Sequence, residues 1–241
     1  MALTIIHTAD LHGRLDRRGA DALRFLAEQT GALLLDSGDA ISAGNIYVRA
    51  GEPVLEVMNA AGYDAMAMGN REFFFRKSGL LRKTAQARFP VLATNVLPLR
   101  DDLGHVLRWT ALDAGGERVG VFGLAPTMIA PASFAERFSD LRFITWEGAA
   151  VEAVEALRDE AEWLVALSHR GLGDDRALAQ LCPQLDAILG GHSHDACSEL
   201  VGPRPMVLSH PGYHARSAAV IKIERGADGR NTVEARIVEL T

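Results

Sequence analysis

The stretch Leu33-Leu34-Leu35-Asp36-Ser37-Gly38-Asp39 passes from an apolar run into a short polar turn. The apolar run is typical of a buried strand, and the serine and glycine that follow it are typical of a turn. Asp39 is therefore predicted to stand just beyond the carboxyl end of a buried strand. Because ligands of α/β proteins bind at this end of the strands, the position favours a functional carboxylate.

The same arrangement occurs four more times along the chain. In each case an apolar run ends in side chains that can bind a metal ion: Asp10 and His12 after residues 3–9, Asn70 after 64–68, His169 after 163–167, and His192 and His194 after 185–189. Residues two apart on an extended segment point to the same side, so each of the two pairs can address one ion or two neighbouring ions. One such residue alone is a weak signal, but seven at five strand ends predict a metal site.

Helical patterns separate these strands. Apolar residues recur at helical spacing over residues 19–29, 53–61, 80–87, 148–160 and 174–181. Residues 109–112 and 119–124 predict a hairpin across Gly115-Gly116, and residues 205–240 predict strands that close a sheet, with His210 and His214 in the loop between them. The alternation of strands and helices indicates an α/β fold.

Composition narrows the class of protein. The 241 residues are 48% hydrophobic, which is enough for the core of one large domain, and the formal net charge is −6. The chain shows no run of basic residues, so duplex nucleic acid is not an expected partner. No apolar run approaches the ~20 residues of a membrane span, and we expect a cytoplasmic protein without a membrane partner. Cys182 and Cys197 do not predict a disulfide framework.

The types of ligand predict the chemistry of the metal site. Imidazole nitrogens mixed with carboxylate oxygens, without a thiolate, suit Mn²⁺, Fe, Zn²⁺, Co²⁺ or Ni²⁺, and we favour manganese. Seven side chains exceed what one ion holds. Two ions about 3.5–4 Å apart that share the Asp39 carboxylate would use all seven, and such pairs catalyse in-line displacement at phosphorus by a bridging water or hydroxide.

Five segments, in this order, resemble the five motifs of the calcineurin-like metallophosphoesterase superfamily. They are HTADLHGRL (7–15), LLLDSGDAISAG (33–44), GYDAMAMGNRE (62–72), ALSHRG (166–171) and ILGGHSH (188–194). The resemblance is nearest to the N-terminal domain of the bacterial 5′-nucleotidase family and runs from about residue 3 to residue 223. It implies a four-layer αββα sandwich in which two mixed sheets face each other between flanking helices.

The resemblance also implies how the ligands divide. One ion would be held by Asp10, His12, Asp39 and His194, and the other by Asp39, Asn70, His169 and His192. The implied activity is hydrolysis of a small phosphorylated substrate, which is nucleotide-like or another phosphomonoester; phosphodiesters and hence nuclease activity stay open. The chain is expected to be a single domain over residues 1–241 without the family's C-terminal nucleotide-recognition domain.

The third motif departs from the family pattern. Where the family has Gly-Asn-His-Glu followed by an aromatic residue and an aspartate, this chain has Arg71 in place of the histidine and Phe74 in place of the aspartate. In the family that histidine stabilises the transition state or protonates the leaving group. Arginine matches the geometry of a phosphate but does not release a proton at working pH.

Arg71 and Asn70 are therefore the predicted catalytic residues, and His210 and His214 are candidates for positions behind the ligands or for the missing proton donor. The alternative function is a catalytically weak metal-binding or phosphate-binding module in which Arg71 holds an anion. Added Mn²⁺ would separate the two functions, since only the enzyme would then turn over.

Overall fold

The computed structural model describes residues 1–44, 51–202 and 204–240, so the predicted loop at 41–51 lies partly outside the described residues. The described helices are α1 (Arg17–Thr30), α2 (Pro53–Ala61), α3 (Lys77–Thr84), α4 (Phe134–Ser139), α5 (Trp146–Leu157) and α6 (Leu172–Leu181). The described strands are β1 (Ala2–Thr8), β2 (Leu33–Asp36), β3 (Ala65–Ala67), β4 (Val91–Leu92), β5 (Val96–Pro98), β6 (Val106–Leu107), β7 (Trp109–Ala114), β8 (Glu117–Leu124), β9 (Leu141–Phe143), β10 (Trp163–Ser168), β11 (Ala187–Gly190), β12 (Ala196–Val201), β13 (Met206–Pro211), β14 (Ser217–Arg225) and β15 (Asn231–Glu239).

Most of the strands form two mixed sheets. The first sheet has the order β15-β14-β1-β2-β3-β4-β6, and the second has the order β12-β13-β11-β10-β8-β7. The neighbours from β1 to β6 in the first sheet are parallel, as are β13, β11, β10 and β8 in the second. Antiparallel strands occupy the remaining positions, and β5 and β9 form a small separate pair.

Alternation along the strands divides the apolar residues among three interfaces. Leu33 and Leu35 belong to the core between the two sheets, whereas Leu34 faces the helices that cover the first sheet. In the second sheet Val165 points to the inner core and Ala166 points to the outer core beneath α5 and α6. A period of two is what strands buried on both faces require. The predicted four-layer sandwich is confirmed.

Local signals explain where the first helices begin and end. The side chain of Asp16 accepts a hydrogen bond of 2.8 Å from the N–H of Gly19 and caps α1, and Gly31 ends that helix with φ of 64°. Pro53 occupies the first turn of α2.

The predicted boundaries of α3 are wrong, because this helix covers Lys77–Thr84 rather than 80–87. The predicted position of His210 in a loop is also wrong. It lies within β13 and is buried, because its imidazole has a buried carboxylate partner, Asp175.

Candidate metal centre

The strand register brings the predicted ligands together from both sheets. Thr8 pairs with Asp36 at the ends of β1 and β2, and Ser168 pairs with Gly190 at the ends of β10 and β11. The loops that follow these strands carry all seven predicted ligands except Asn70, which follows β3. The backbone N–H of His192, from the second sheet, donates to Asp10 Oδ2 of the first sheet at 2.8 Å. The site therefore forms where the two sheets meet.

Two overlapping groups of ligand atoms lie at this junction. Atoms of Asp10, His12 and His194 lie within 4.8 Å of one another, and so do atoms of Asp10, Asp39 and His169. Asp10 belongs to both groups. Asp39 also faces both, since its Oδ2 lies 3.6 Å from His12 Nε2 and its Oδ1 lies 3.5 Å from His169 Nε2.

Several of these atoms are buried without a hydrogen-bond partner. Among the described residues this holds for Asp10 Oδ1, His12 Nε2, Asn70 Oδ1 and His169 Nε2. Buried polar atoms are normally paired, so four orphans at one place need an explanation. Two ligands that each lie about 2.1 Å from one tetrahedral ion are about 3.4 Å apart. The distances from Asp10 Oδ1 to the Nε2 atoms of His12, His194 and His169 are 3.5, 3.4 and 3.9 Å. The donor set therefore fits divalent metal ions.

His169 is oriented by the backbone of the first sheet. Its Nδ1 lies 2.7 Å from the carbonyl oxygen of Ser37 and donates to it, so Nε2 is the nitrogen that faces Asp39. Burial alone would lower the pKa of His169, but the charges of Asp39 and Asp10 outweigh burial and raise the pKa to about 9. The negative charges of Asp39 and Asp10 therefore favour a positively charged group at this position.

The ligand loops have an unusual backbone. Five of the seven predicted ligands are non-glycine residues with positive φ, namely Asp10 (51°), His12 (49°), Asp39 (55°), His192 (74°) and His194 (61°). Such conformations cost about 1–3 kcal/mol each and persist where the surrounding structure enforces them, often at functional sites. Here backbone hydrogen bonds enforce them, among them His12 N–H to the carbonyl of Asp39 at 2.9 Å.

Close packing behind the ligands depends on two glycines. A Cβ at Gly69 would overlap Asp39, and a Cβ at Gly191 would lie 3.1 Å from both Asp10 Oδ2 and His169 Nδ1. Any larger residue at Gly69 would displace Asp39, and one at Gly191 would require Asp10 or His169 to shift by a few tenths of an ångström.

The carboxylate of Glu72 holds the Asp39 loop in place. Its Oε2 accepts hydrogen bonds from the N–H groups of Asp39 (3.0 Å) and Gly69 (2.8 Å). Its Oε1 accepts from the N–H groups of Ala40 (3.0 Å) and Ile41 (3.3 Å). Glu72 is fully buried, and among the described residues these four N–H groups have no other acceptor.

Replacement of Glu72 by glutamine is expected to lower the free energy of unfolding by about 2–5 kcal/mol. The amide keeps one acceptor, but its NH₂ group would face two backbone N–H groups, and each buried donor without a partner costs about 1–3 kcal/mol. Denaturant unfolding of the two proteins measures the difference. Glu56→Gln on the neighbouring helix is the matched control, since Glu56 is exposed and its loss should change little. Equal effects of the two changes would contradict this role.

Arg71 stands at the mouth of the centre. Its backbone N–H donates to Asp39 Oδ1 at 2.6 Å, its Nε lies 3.7 Å from Asp39 Oδ2, and a guanidinium N–H donates to the carbonyl of Ser42 at 3.1 Å. The side chain is 29% exposed. The guanidinium can therefore reach an anion bound next to Asp39.

Sequence reasoning missed Lys83, which organises the segment around Arg71. Its ammonium group is buried and donates to the carbonyls of Arg71 (2.8 Å), Phe73 (2.9 Å) and Gly44 (2.7 Å). It also lies 5.7 Å from the ring centroid of Phe74. A lysine on a helix gives no sequence signal for such a role, because its partners are backbone atoms of other segments.

The two remaining candidate histidines, His210 and His214, lie in different surroundings. His210 Nε2 bonds to buried Asp175 at 2.8 Å, and this pair lies so close to Gly190 that a Cβ there would overlap both side chains. His214 Nε2 lies 3.1 Å from Nδ1 of the predicted ligand His12. Nearby, the rings of Tyr213 and His194 stack with centroids 4.7 Å apart. Only His214 of these two contacts a predicted ligand ring through its side chain.

The family model for calcineurin-like phosphoesterases matches residues 3–196. The chain belongs to the calcineurin-like phosphoesterase family. This match includes all seven predicted ligands, and it confirms the predicted resemblance and the prediction of a metal-dependent phosphoesterase hydrolase.

Relatives with known names support the same assignment. The chain is 30% identical to a snake venom 5′-nucleotidase of Gloydius brevicauda over 80% of its own length and 37% of the relative's. It is 30% identical to the protein UshA of Yersinia enterocolitica over 80% of its own length and 40% of the relative's. A 5′-nucleotidase precursor from Thermus thermophilus has the same fold, with a TM-score of 0.84 and 23% identity over 99% of this chain and 54% of that one. The chain therefore spans about two fifths of the length of these curated relatives.

No helix among residues 1–44, 51–202 and 204–240 is long and apolar enough to cross a membrane. The cytoplasmic location and the absence of a duplex nucleic acid partner stay predictions.

Proposed function

We propose that this chain hydrolyses a small phosphorylated substrate with the help of two divalent metal ions, of which manganese is the favoured candidate. The observation that carries the proposal is the set of four buried and unpaired ligand atoms, from Asp10, His12, Asn70 and His169, where the strand ends of both sheets meet. Family membership supports phosphoester chemistry, and relatives named 5′-nucleotidases support a nucleotide-like phosphomonoester as the substrate.

Asp10, His12, Asp39 and His194 would hold one ion, and Asp39, Asn70, His169 and His192 the other. When bound, such a pair supplies an activated water and stabilises the charge that develops on the phosphoryl oxygens. In this assignment Asp39 directs one carboxylate oxygen to each group, which agrees with its 3.6 and 3.5 Å contacts to His12 and His169.

The protein's own groups orient the reaction. The guanidinium of Arg71 would donate to phosphoryl oxygens and strengthen its contacts as negative charge grows in the transition state. It cannot protonate the leaving oxygen, because arginine keeps its proton at working pH. With Arg71 in this position, the leaving group departs as an anion or takes its proton from another side chain or from solvent.

A test of this function uses metal-stripped protein with an aryl phosphomonoester and an aryl phosphodiester, with and without Mn²⁺. Turnover of the monoester that depends on Mn²⁺ is the expected result, and the ratio of the two rates identifies the ester class. Substrates of nucleotide type are compared next at equal concentration.

The second candidate is a metal-binding or phosphate-binding module with little turnover, which the replacement of the family's histidine by Arg71 favours. Metal binding in calorimetry without hydrolysis of any ester, under all five candidate metals, would favour the module over the enzyme.

A further inference from the structure

His214 contacts both members of the Asp10-x-His12 pair, although it lies 202 residues from His12 in sequence. Its backbone N–H donates to the carbonyl oxygen of Asp10 at 2.8 Å. Its imidazole Nε2 lies 3.1 Å from Nδ1 of His12. One residue of the turn between β13 and β14 therefore fixes the first ligand loop at two points.

The predicted role of His12 as a ligand determines which ring donates the hydrogen bond between His12 and His214. Nε2 of His12 faces the carboxylates of Asp10 and Asp39 at 3.5 and 3.6 Å and has no hydrogen-bond partner among the described residues. If Nε2 is the ligand atom, the ring hydrogen must be on Nδ1, which then donates to His214 Nε2. Metal-binding histidines usually donate this hydrogen to a carboxylate or a carbonyl, as His169 does to Ser37.

The backbone of the turn supports a specific role. His214 has φ of 64° and Ala215 has φ of 55°, so two successive non-glycine residues adopt the left-handed conformation. L residues adopt this conformation rarely, and here it places the N–H and the imidazole of His214 on the same ligand loop.

We propose that His214 is a positioning residue that accepts the Nδ1 hydrogen of His12 and directs its Nε2 atom toward the metal. This inference rests on the proposed two-metal function. In this role the turn after β13 supports metal binding although it supplies no metal ligand itself.

The test compares His214→Gly, His214→Ala and His214→Gln in calorimetric titrations of metal-stripped protein with Mn²⁺. Glycine tolerates the backbone conformation and keeps the N–H, so this variant removes the imidazole alone. We expect its affinity for one ion to fall about 10–100-fold, the usual effect of losing such a partner. Glutamine offers an acceptor oxygen and is expected to restore part of the affinity. Ala215→Gly is the matched control and should bind like the wild type.

A second readout is the absorption spectrum of the Co²⁺-loaded protein, which reports the geometry of the ligands. The bands are expected to change in His214→Gly and to return toward the wild type in His214→Gln. Wild-type affinity for Mn²⁺ in His214→Gly, or a loss of affinity in His214→Ala alone, would overturn this inference without contradicting the proposed metal site. Absence of metal binding in the wild type would overturn the proposed function and this inference with it.

Discussion

Replacement of Asp39 by asparagine is expected to abolish metal-dependent hydrolysis, with a larger fall in kcat than the roughly 10²- to 10³-fold that loss of one oxyanion-hole hydrogen-bond donor costs. The carboxylate lies against two imidazoles, and the contacts with His12 and His169 hold the pKa of Asp39 well below its usual range although burial opposes this. An amide has no charge and offers only one oxygen to the two groups. We therefore expect calorimetry to show that the variant binds fewer ions, or binds them much more weakly.

Asp36→Asn is the matched control for this change. Asp36 lies three residues earlier, at the end of the same strand, and is also fully buried. Its oxygens accept hydrogen bonds from the N–H of Gly38 (2.8 Å) and the hydroxyl of Thr8 (2.7 Å) rather than facing the ligand groups. The control should lose stability but keep the number of bound ions. Loss of activity to the same degree in both variants would mean that Asp39 acts through the fold alone.

The positions of the seven predicted ligands were predictable because each follows a strand whose apolar pattern is strong. Leu33 to Leu35 ends at Asp36 in the structure, and the turn to Asp39 then follows as the sequence indicates. Parallel pairing brings neighbouring strand ends to one edge, so local patterns were enough to gather residues that are distant in sequence. The inner core and the two outer cores follow from the same alternation.

The supporting residues were not predictable, because their partners are backbone groups of other segments. Glu72 appeared only as part of a motif, and its four N–H contacts depend on the meeting of two loops. His210 was expected in a loop, since its buried partner Asp175 lies 35 residues away on another element. The left-handed backbone at five of the predicted ligands leaves no mark in the sequence, since aspartate and histidine also occur in ordinary turns.

Esters with poor leaving groups are expected to react far more slowly than aryl esters. General acid catalysis typically contributes about 10²- to 10⁴-fold, and Arg71 cannot supply it. A plot of log kcat/KM against the pKa of the leaving alcohol should therefore be steep in the wild type. Arg71→His is expected to raise alkyl ester hydrolysis and flatten the plot, whereas Arg71→Lys keeps the charge and should leave the slope steep. Equal wild-type rates on aryl and alkyl esters would contradict this role for Arg71.

Restoration by the single change should be partial, because the partner of the family's histidine is also replaced. Phe74 holds that position, and its ring packs against Gly79 and lies 5.7 Å from Lys83 Nζ. In the double variant Arg71→His/Phe74→Asp, the new carboxylate can orient the imidazole. It can also pair with Lys83 and draw that ammonium group away from the carbonyls of Arg71 and Phe73. If alkyl activity rises from the single to the double variant, the carboxylate serves the imidazole. If it falls while Phe74→Asp alone lowers stability, Lys83 has captured the carboxylate, and the phenylalanine keeps this ammonium group on the carbonyls of Arg71 and Phe73.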